Sequence, residues 1–249
     1  MSSSTSAAPL LAVVVPVKNE ADNIQPLVDE VVAALAGRWP FEIVYVDDGS
    51  DDATPARLDA AKTRAPMLRV IRHRAACGQS QAVATGVKAA NAPYIATIDG
   101  DGQNDPADIP LLFERLLEVS EGERDRLMIA GHRRKRRDTG LRRLSSKVAN
   151  AVRAFLLGDA TPDSGCGLKV FSREAFLDMP RFNHMHRFLP ALMIRRGGRV
   201  VSVRVNHRPR ERGLSKYGLW NRLWVGIVDL FGVMWLQRRA SVPEIERRD

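Results

Sequence analysis

The sequence predicts an α/β protein with a mostly parallel, Rossmann-like central sheet flanked by helices. Two observations support this. Apolar, β-branched runs alternate with segments of helical period through the first hundred residues, and three of those runs end in acidic turns. A third observation, the apolar stretch from Gly218 to Leu236, adds a C-terminal amphipathic helix.

The elements follow in order. Leu11 to Val17 reads as a buried strand, and Asp22 or Asn23 is placed to cap a helix with the apolar face Ile24, Leu27, Val28, Val31, Val32 and Leu35. Gly37 and Pro40 end that helix, and Phe41 to Val46 forms the second strand. Pro55 to Arg64 is helical, Leu68 to Arg72 a strand, Gln79 to Ala90 a helix and Tyr94 to Ile98 a strand. Beyond these come a helix at Ile109 to Leu117, a strand at Leu127 to Ala130, a helix near Leu144 to Leu157, and strands at Leu168 to Phe171 and Arg199 to Val205. With 249 residues, one sizeable domain fits and two are cramped. The expected division is a disordered N-terminus (1–9), one catalytic domain (10–217), and an amphipathic helix with its tail (218–249).

Composition narrows the function classes. A hydrophobic share of 45% with 27% charged residues supports a packed core and excludes a disordered chain. The two cysteines, Cys77 and Cys166, make no disulfide framework and have no zinc spacing, which fits a reducing compartment. No basic segment precedes Leu10 to Val15, and that run is short for a signal peptide. A net charge of +9 points to an anionic partner: nucleic acid, anionic lipid or a phosphorylated small molecule. A dedicated nucleic-acid binder is disfavoured, because no zinc-finger spacing, RNP-like strand or basic zipper is present.

In open parallel sheets ligands sit at the carboxyl ends of strands. Three such ends are acidic here: Pro16 to Glu20 after the first strand, Asp47-Asp48-Gly49-Ser50 after the second, and Asp99-Gly100-Asp101-Gly102-Gln103 after the fourth. Each alone is also ordinary turn chemistry. Together they bring carboxylates to one sheet edge, where mutual repulsion calls for a counter-charge. Asp101 and the amide oxygen of Gln103 are hard ligands that suit Mg²⁺ or Mn²⁺, with a diphosphate completing the shell. No phosphate loop or dinucleotide fingerprint is present, which disfavours kinases and dehydrogenases.

Five ordered motifs carry a family resemblance: Val-Pro-Val-Lys-Asn-Glu, Val-Asp-Asp-Gly-Ser-Asp-Asp, Ile-Asp-Gly-Asp-Gly-Gln-Asn-Asp-Pro, Ser-Gly-Cys-Gly-Leu-Lys-Val-Phe and Arg-Glu-Arg-Gly-Leu-Ser-Lys-Tyr-Gly. From Leu11 to Tyr217 the chain resembles the family 2 glycosyltransferases of the GT-A fold, in particular the dolichyl-phosphate mannose synthase and polyprenyl-phosphate glycosyltransferase branch. The resemblance implies metal-dependent, inverting transfer from a nucleotide sugar, GDP-mannose or a UDP-sugar, to a polyprenyl phosphate. By the same resemblance Pro16, Lys18, Glu20, Asp47 and Asp48 border the nucleoside, Asp99 and Gly100 contact the ribose or diphosphate, and Asp101 and Gln103 hold the metal. Gly-Asp-Gly-Gln and Ser-Gly-Cys-Gly replace the usual Ala-Asp-Leu-Gln and Ser-Gly-Phe, which bears on sugar preference rather than on the reaction.

The run from His132 to Lys147 is densely basic, and a solvated charge run explains most of it. Arg142 and Ser146 lie one helical turn apart, and Arg133 follows a strand end. By similarity to the lipid-phosphate branch, Arg133, Arg142 and Ser146 hold the acceptor phosphate. Arg210 and Lys216 close over the donor diphosphate and join Asp101 as catalytic residues. His184 and His186 have spacing that suits a strand and are expected to be structural or to line the acceptor path, while Asp163 is a weaker candidate for positioning the acceptor.

The stretch Gly218 to Leu236 holds Trp220, Trp224 and Trp235 but is interrupted by Asn221, Arg222 and Asp229, so it is not expected to cross a membrane. Members of this branch often carry transmembrane helices after the catalytic domain, and none is expected here. Its apolar stripe is Trp220, Leu223, Trp224, Ile227, Leu230, Phe231, Met234 and Trp235, with Arg222 and Asp229 opposite. It fits either core packing or contact with an anionic membrane surface, and the basic Arg238 and Arg239 tip the expectation to a peripheral position on the cytoplasmic face. Two other functions compete: transfer to a sugar hydroxyl, which would need a late carboxylate base, and a basic nucleic-acid-binding module.

Overall fold

The computed structural model describes residues 7–133, 153–209 and 219–242, with backbone alone for 219–225. Seven strands form one sheet: β1 (Leu11–Val17), β2 (Phe41–Asp47), β3 (Leu68–Arg72), β4 (Tyr94–Thr97), β5 (Leu127–Arg133), β6 (Lys169–Ser172) and β7 (Arg199–Val205). Their order is β3-β2-β1-β4-β6-β5-β7. β1 to β4 are mutually parallel, β6 runs antiparallel to β4 and β5, and β5 pairs with β7 in parallel.

The central strand β1 reads as an unbroken apolar run because both its faces are covered. Val13 and Val15 pack with Ile24, Leu27 and Val28 on one side, and Ala12 and Val14 pack with Val83 and Val87 on the other. Each fully buried Val or Leu contributes about 1.5–3 kcal/mol relative to exposure. The helices Ala21–Leu35 and Ile109–Leu117 build the first layer, and Gln79–Ala89 and Leu189–Arg195 build the second.

The expected strands are all present, with ends shifted by a few residues, and the sheet is mostly parallel as read. The expected helix cap is corrected. The helix starts at Ala21, and Asn23 lies inside it, donating its side-chain amide to Glu20 Oε2 at 2.7 Å. The N–H of Glu20 is held instead by Thr54 Oγ1 at 2.9 Å. His184 and His186 do not lie on a strand: His184 has a left-handed backbone (φ 66°) and leads a 3-10 turn at Met185–Arg187. Most of the expected helix at Leu144 to Leu157 and residues 1–6 of the expected disordered terminus lie outside the described residues.

The C-terminal helix runs from Leu219 to Arg238. Val233 is buried with Leu157, Phe188 and Ala191, and Leu230 and Met234 pack beside it. Gln237 donates to the carbonyls of Leu157 and Ala191. The expected polar face is corrected, since Asp229 turns inward to within 3.0 Å of His184 Nδ1. Val228, Phe231 and Trp235 point outward instead. Among the described residues no helix is long and apolar enough to cross a membrane.

Candidate active site

Because β1, β2 and β4 are parallel neighbours, their carboxyl ends meet on one edge and carry the three acidic turns with them. The first two turns are locked together. Asn19 (φ 55°) donates its N–H to Ser50 Oγ at 2.9 Å, and the N–H of Asp51 returns to Asn19 Oδ1 at 3.0 Å. Pro16 is half-buried beside this junction, Glu20 is tied in through its N–H, and Lys18 is exposed.

The β2 carboxylates find their partners within the protein, Asp48 fully and Asp47 in part. Asp47 is fully buried and accepts the N–H of Ser50 at 2.9 Å. Arg72 Nε lies 3.2 Å from its other oxygen, an ion pair that falls short of hydrogen-bond geometry. Asp48 accepts the N–H groups of Cys77 and Gly78 and meets His73 Nδ1, each at 2.8 Å. Burial raises the Asp48 pKa, but the bonds from Cys77, His73 and Gly78 outweigh it and hold the carboxyl below its ordinary range. Asp48, His73 and Cys77 place ligand atoms within 4.8 Å of one another. However, His73 spends its second ring nitrogen on Thr85 Oγ1, so hydrogen bonds alone satisfy this group.

The expectation that a cation must relieve all three turns is thereby narrowed to the third. Asp99 is pushed up to about 6, first by burial and then by Asp101, against the pull of Lys169, Arg133 and the Gln79 amide. Gln79 Nε2 donates to Asp99 Oδ1 at 2.8 Å, and Asn104 Oδ1 accepts the N–H of Asp99 at 3.2 Å. Asp101 Oδ1 accepts the N–H of Gln103 at 3.1 Å, which folds the loop so that both side chains belong to one tight turn. Gly100 sits where a Cβ would come within 2.3 Å of Val17 Cγ1, so the acidic turn can lie against the end of β1. Two carboxylates with an amide oxygen in one turn, where the two like charges meet, are a donor set that fits a hard divalent cation.

Arg133 and Asp163 form a bidentate pair, Nε to Oδ2 at 2.6 Å and Nη2 to Oδ1 at 2.7 Å. The bonds to Asp163, opposed by burial, raise the guanidinium pKa. Arg133 thus reaches the site, but its fork is already engaged by Asp163. Its expected companions Arg142 and Ser146, and the expected Arg210 and Lys216, lie outside the described residues. The approach to the last two is described. Arg208 bridges Glu30 at 2.8 Å and Asp105 at 2.6 Å, and its N–H donates to the carbonyl of Gln103 at 2.9 Å. The residues just before Arg210 are therefore pinned to the Asp101–Gln103 turn.

A cleft of about 440 Å³ opens beside Asp99, lined in part by Pro16, Gln79, Arg133, Lys169 and Arg187. Sequence reasoning missed Gln79, His73, Lys169 and Arg187. The strand-end rule applied to β3 would have found the first two, because His73 to Gly78 follows that strand directly. Lys169, flanked by Leu168 and Val170, and Arg187, beside His186 away from any strand end, gave no such signal.

Residues 12–179 match the family described as Glycosyl transferase family 2. The chain is 37% identical over 241 residues to a dodecaprenyl-phosphate galacturonate synthase of Rhizobium johnstonii, covering 94% of this chain and 69% of that protein. It is 33% identical to an undecaprenyl-phosphate 4-deoxy-4-formamido-L-arabinose transferase of Pseudomonas fluorescens, covering 83% of this chain and 60% of that relative. Glucosyl-3-phosphoglycerate synthase of Mycobacterium tuberculosis, solved with Mn²⁺, UDP-glucose and phosphoglyceric acid, shares the fold at a TM-score of 0.68 and 19% identity, over 96% of this chain and 82% of that one. Mannosyl-3-phosphoglycerate synthase of Rubrobacter xylanophilus superposes with the same TM-score at 18% identity, over 96% of this chain and 79% of its own.

Proposed function

From the premise that this chain belongs to the family 2 glycosyl transferases, we propose that it moves a sugar from a nucleotide diphosphate onto a polyprenyl phosphate at an anionic membrane surface. The observation that carries the reading is the asymmetry of the acidic edge. Asp47 and Asp48 are spent on Arg72, His73 and backbone N–H groups, whereas Asp99 and Asp101 face each other's charge. Asp101 and Gln103 would hold Mg²⁺ or Mn²⁺ there. When bound, the cation supplies charge neutralisation for the departing nucleoside diphosphate.

The chain's own residues do the rest. The nucleoside side is shaped by the interlocked turns at Pro16 to Glu20 and Asp47 to Ser50, with Asp48 fixing the segment from His73 to Gly78. Asp99, oriented by Gln79 and Asn104, borders the ribose or diphosphate. Arg133, Arg142 and Ser146 hold the acceptor phosphate, and Arg210 and Lys216 cover the diphosphate. An acceptor oxygen forms the new bond to the anomeric carbon as the bond to the diphosphate breaks, with inversion. A phosphate monoester with a second pKa near ~6 is already largely anionic at neutral pH, so no strong base is required.

GDP-mannose and UDP-sugars both stand as donors, and the galacturonate in the Rhizobium relative's name puts a uronic acid donor first. Membrane contact is assigned to the outward face of the C-terminal helix. Trp235 is 59% exposed beside Arg238 and Arg239, and Phe155 is 88% exposed. That combination of apolar rings and cations suits an anionic leaflet. The test is incubation with labelled UDP- and GDP-sugars, polyprenyl phosphate and Mg²⁺ or Mn²⁺, followed by mass analysis of the lipid fraction. A polyprenyl-phosphate sugar is the expected product; sugar found only on a soluble glycan would favour transfer to a hydroxyl.

A further inference from the structure

The cleft beside Asp99 contains two cations that the proposed mechanism does not use. Lys169 opens β6 and is 3% exposed, yet it lines this cleft. An ammonium carries three donors, and among the described residues Lys169 spends one, on the carbonyl of Cys166. Arg187 ends the 3-10 turn Met185–Arg187 and is half-buried on the same cleft. Among the described residues no carboxylate pairs with it.

The charge of the lining does not cancel. Arg133, Lys169 and Arg187 face Asp99 and Asp163, and Arg133 is taken up by Asp163. Binding a cation at Asp101 would draw on the Asp99 charge and leave the other two cations less compensated. The neighbouring histidine reports the same field: His186 is pushed down to about 3, first by burial and then by Arg187 and Lys169. Cations that line a cleft with donors to spare can take an oxyanion as a further acceptor. A cleft of about 440 Å³ is large enough for a small-molecule group, and it adjoins the residues expected to border the donor.

We propose that this cleft is an anion-receiving subsite in which Arg187 and Lys169 bind the oxygens of a substrate carboxylate or phosphate. The inference rests on the transferase reading above and deepens it. The shared chemistry is a planar or tetrahedral oxyanion, and it has two sources, the C6 carboxylate of a uronic acid donor or the acceptor's phosphate. Arg187 offers the bidentate fork, and Lys169 adds a point charge from the floor of the sheet.

The test pairs kinetics with direct binding on Arg187→Gln and Arg187→Lys. With UDP-galacturonate, UDP-galactose and polyprenyl phosphate as substrates, Arg187→Gln is expected to raise one KM by about tenfold to a hundredfold. A rise for UDP-galacturonate but not UDP-galactose assigns the carboxylate; a rise for polyprenyl phosphate with both donors assigns the phosphate. Arg187→Lys is expected to recover part of the loss, and UDP affinity is expected to stay at the wild-type value. Calorimetry of the UDP-loaded protein with inorganic phosphate and with galacturonate gives a readout independent of turnover. If the wild-type protein transfers no sugar, the transferase reading fails while calorimetry still decides the subsite. Unchanged KM values together with undiminished phosphate and galacturonate binding in Arg187→Gln would overturn the proposal.

Discussion

Replacing Gly167 with Ala tests how closely the loop before β6 must approach the acidic turn. A Cβ at this position would lie 2.2 Å from one oxygen of Asp99 and 2.6 Å from the other. Ordinary contact begins near 3.4 Å, so Asp99 or the loop must move by roughly an ångström. The loop has little room to retreat, because Thr97 Oγ1 holds the carbonyl of Gly167 at 2.7 Å and the N–H of Gly131 holds that of Leu168 at 2.9 Å. The displacement therefore falls on the carboxylate and breaks its bond to Gln79. A misplacement of about 1 Å costs roughly a hundredfold in rate where catalysis depends on positioning. Gly167→Ala is expected to lower kcat/KM for sugar transfer by about that factor while circular dichroism and the melting profile stay close to wild type. Activity within threefold of wild type, with Asp99 unmoved in a crystal structure of the variant, would show that the site does not need this close approach.

Other expectations follow from neighbouring contacts. Asp48→Asn removes the charge from three hydrogen bonds and is expected to cost about 1.5–3 kcal/mol in urea unfolding and to weaken UDP binding, since the segment from His73 to Gly78 loses its anchor. His186 stays neutral in the fold down to about pH 3, whereas its unfolded counterpart takes a proton near 6.5. The unfolded state therefore binds more protons between those values, and stability falls as pH drops, by up to about 1.4 kcal/mol per unit for this group. His186→Gln is expected to flatten that slope in denaturation series from pH 7 to pH 4; an unchanged slope would mean another group sets it. Phe231→Asp with Trp235→Asp alters only the outward helix face. Cosedimentation with phosphatidylglycerol vesicles is expected to drop severalfold, while transfer to a short, water-soluble polyprenyl phosphate is kept. Equal vesicle binding would place the membrane contact elsewhere.

The parallel half of the sheet was legible because β1, β2 and β4 are covered on both faces and so appear as unbroken apolar runs ending in polar turns. That pattern located the acidic edge without any tertiary information. It could not say which carboxylates were already satisfied, because Asp48 finds its partners at His73, Cys77 and Gly78, about thirty residues along the chain. The antiparallel direction of β6 was equally hidden, since four apolar-flanked residues read the same in both directions. At the C-terminus, periodicity correctly gave a helix but assigned Asp229 to solvent. His184, held by a left-handed turn, turns that carboxylate inward and leaves Val228, Phe231 and Trp235 outside. Lys169 and Arg187 were missed for a related reason: a single cation away from the parallel strand ends shows its role only when the cleft around it is known.

The turn from Asp99 to Gln103 is proposed to grip a divalent cation together with a nucleoside diphosphate. Electron paramagnetic resonance of Mn²⁺ titrated into the protein with and without UDP measures this directly. Wild-type protein is expected to bind one Mn²⁺ tightly only when UDP is present, and Asp101→Ala and Gln103→Leu to lose that binding while retaining UDP itself. Equal, UDP-independent Mn²⁺ binding in wild type and Asp101→Ala would contradict the assignment of the metal site.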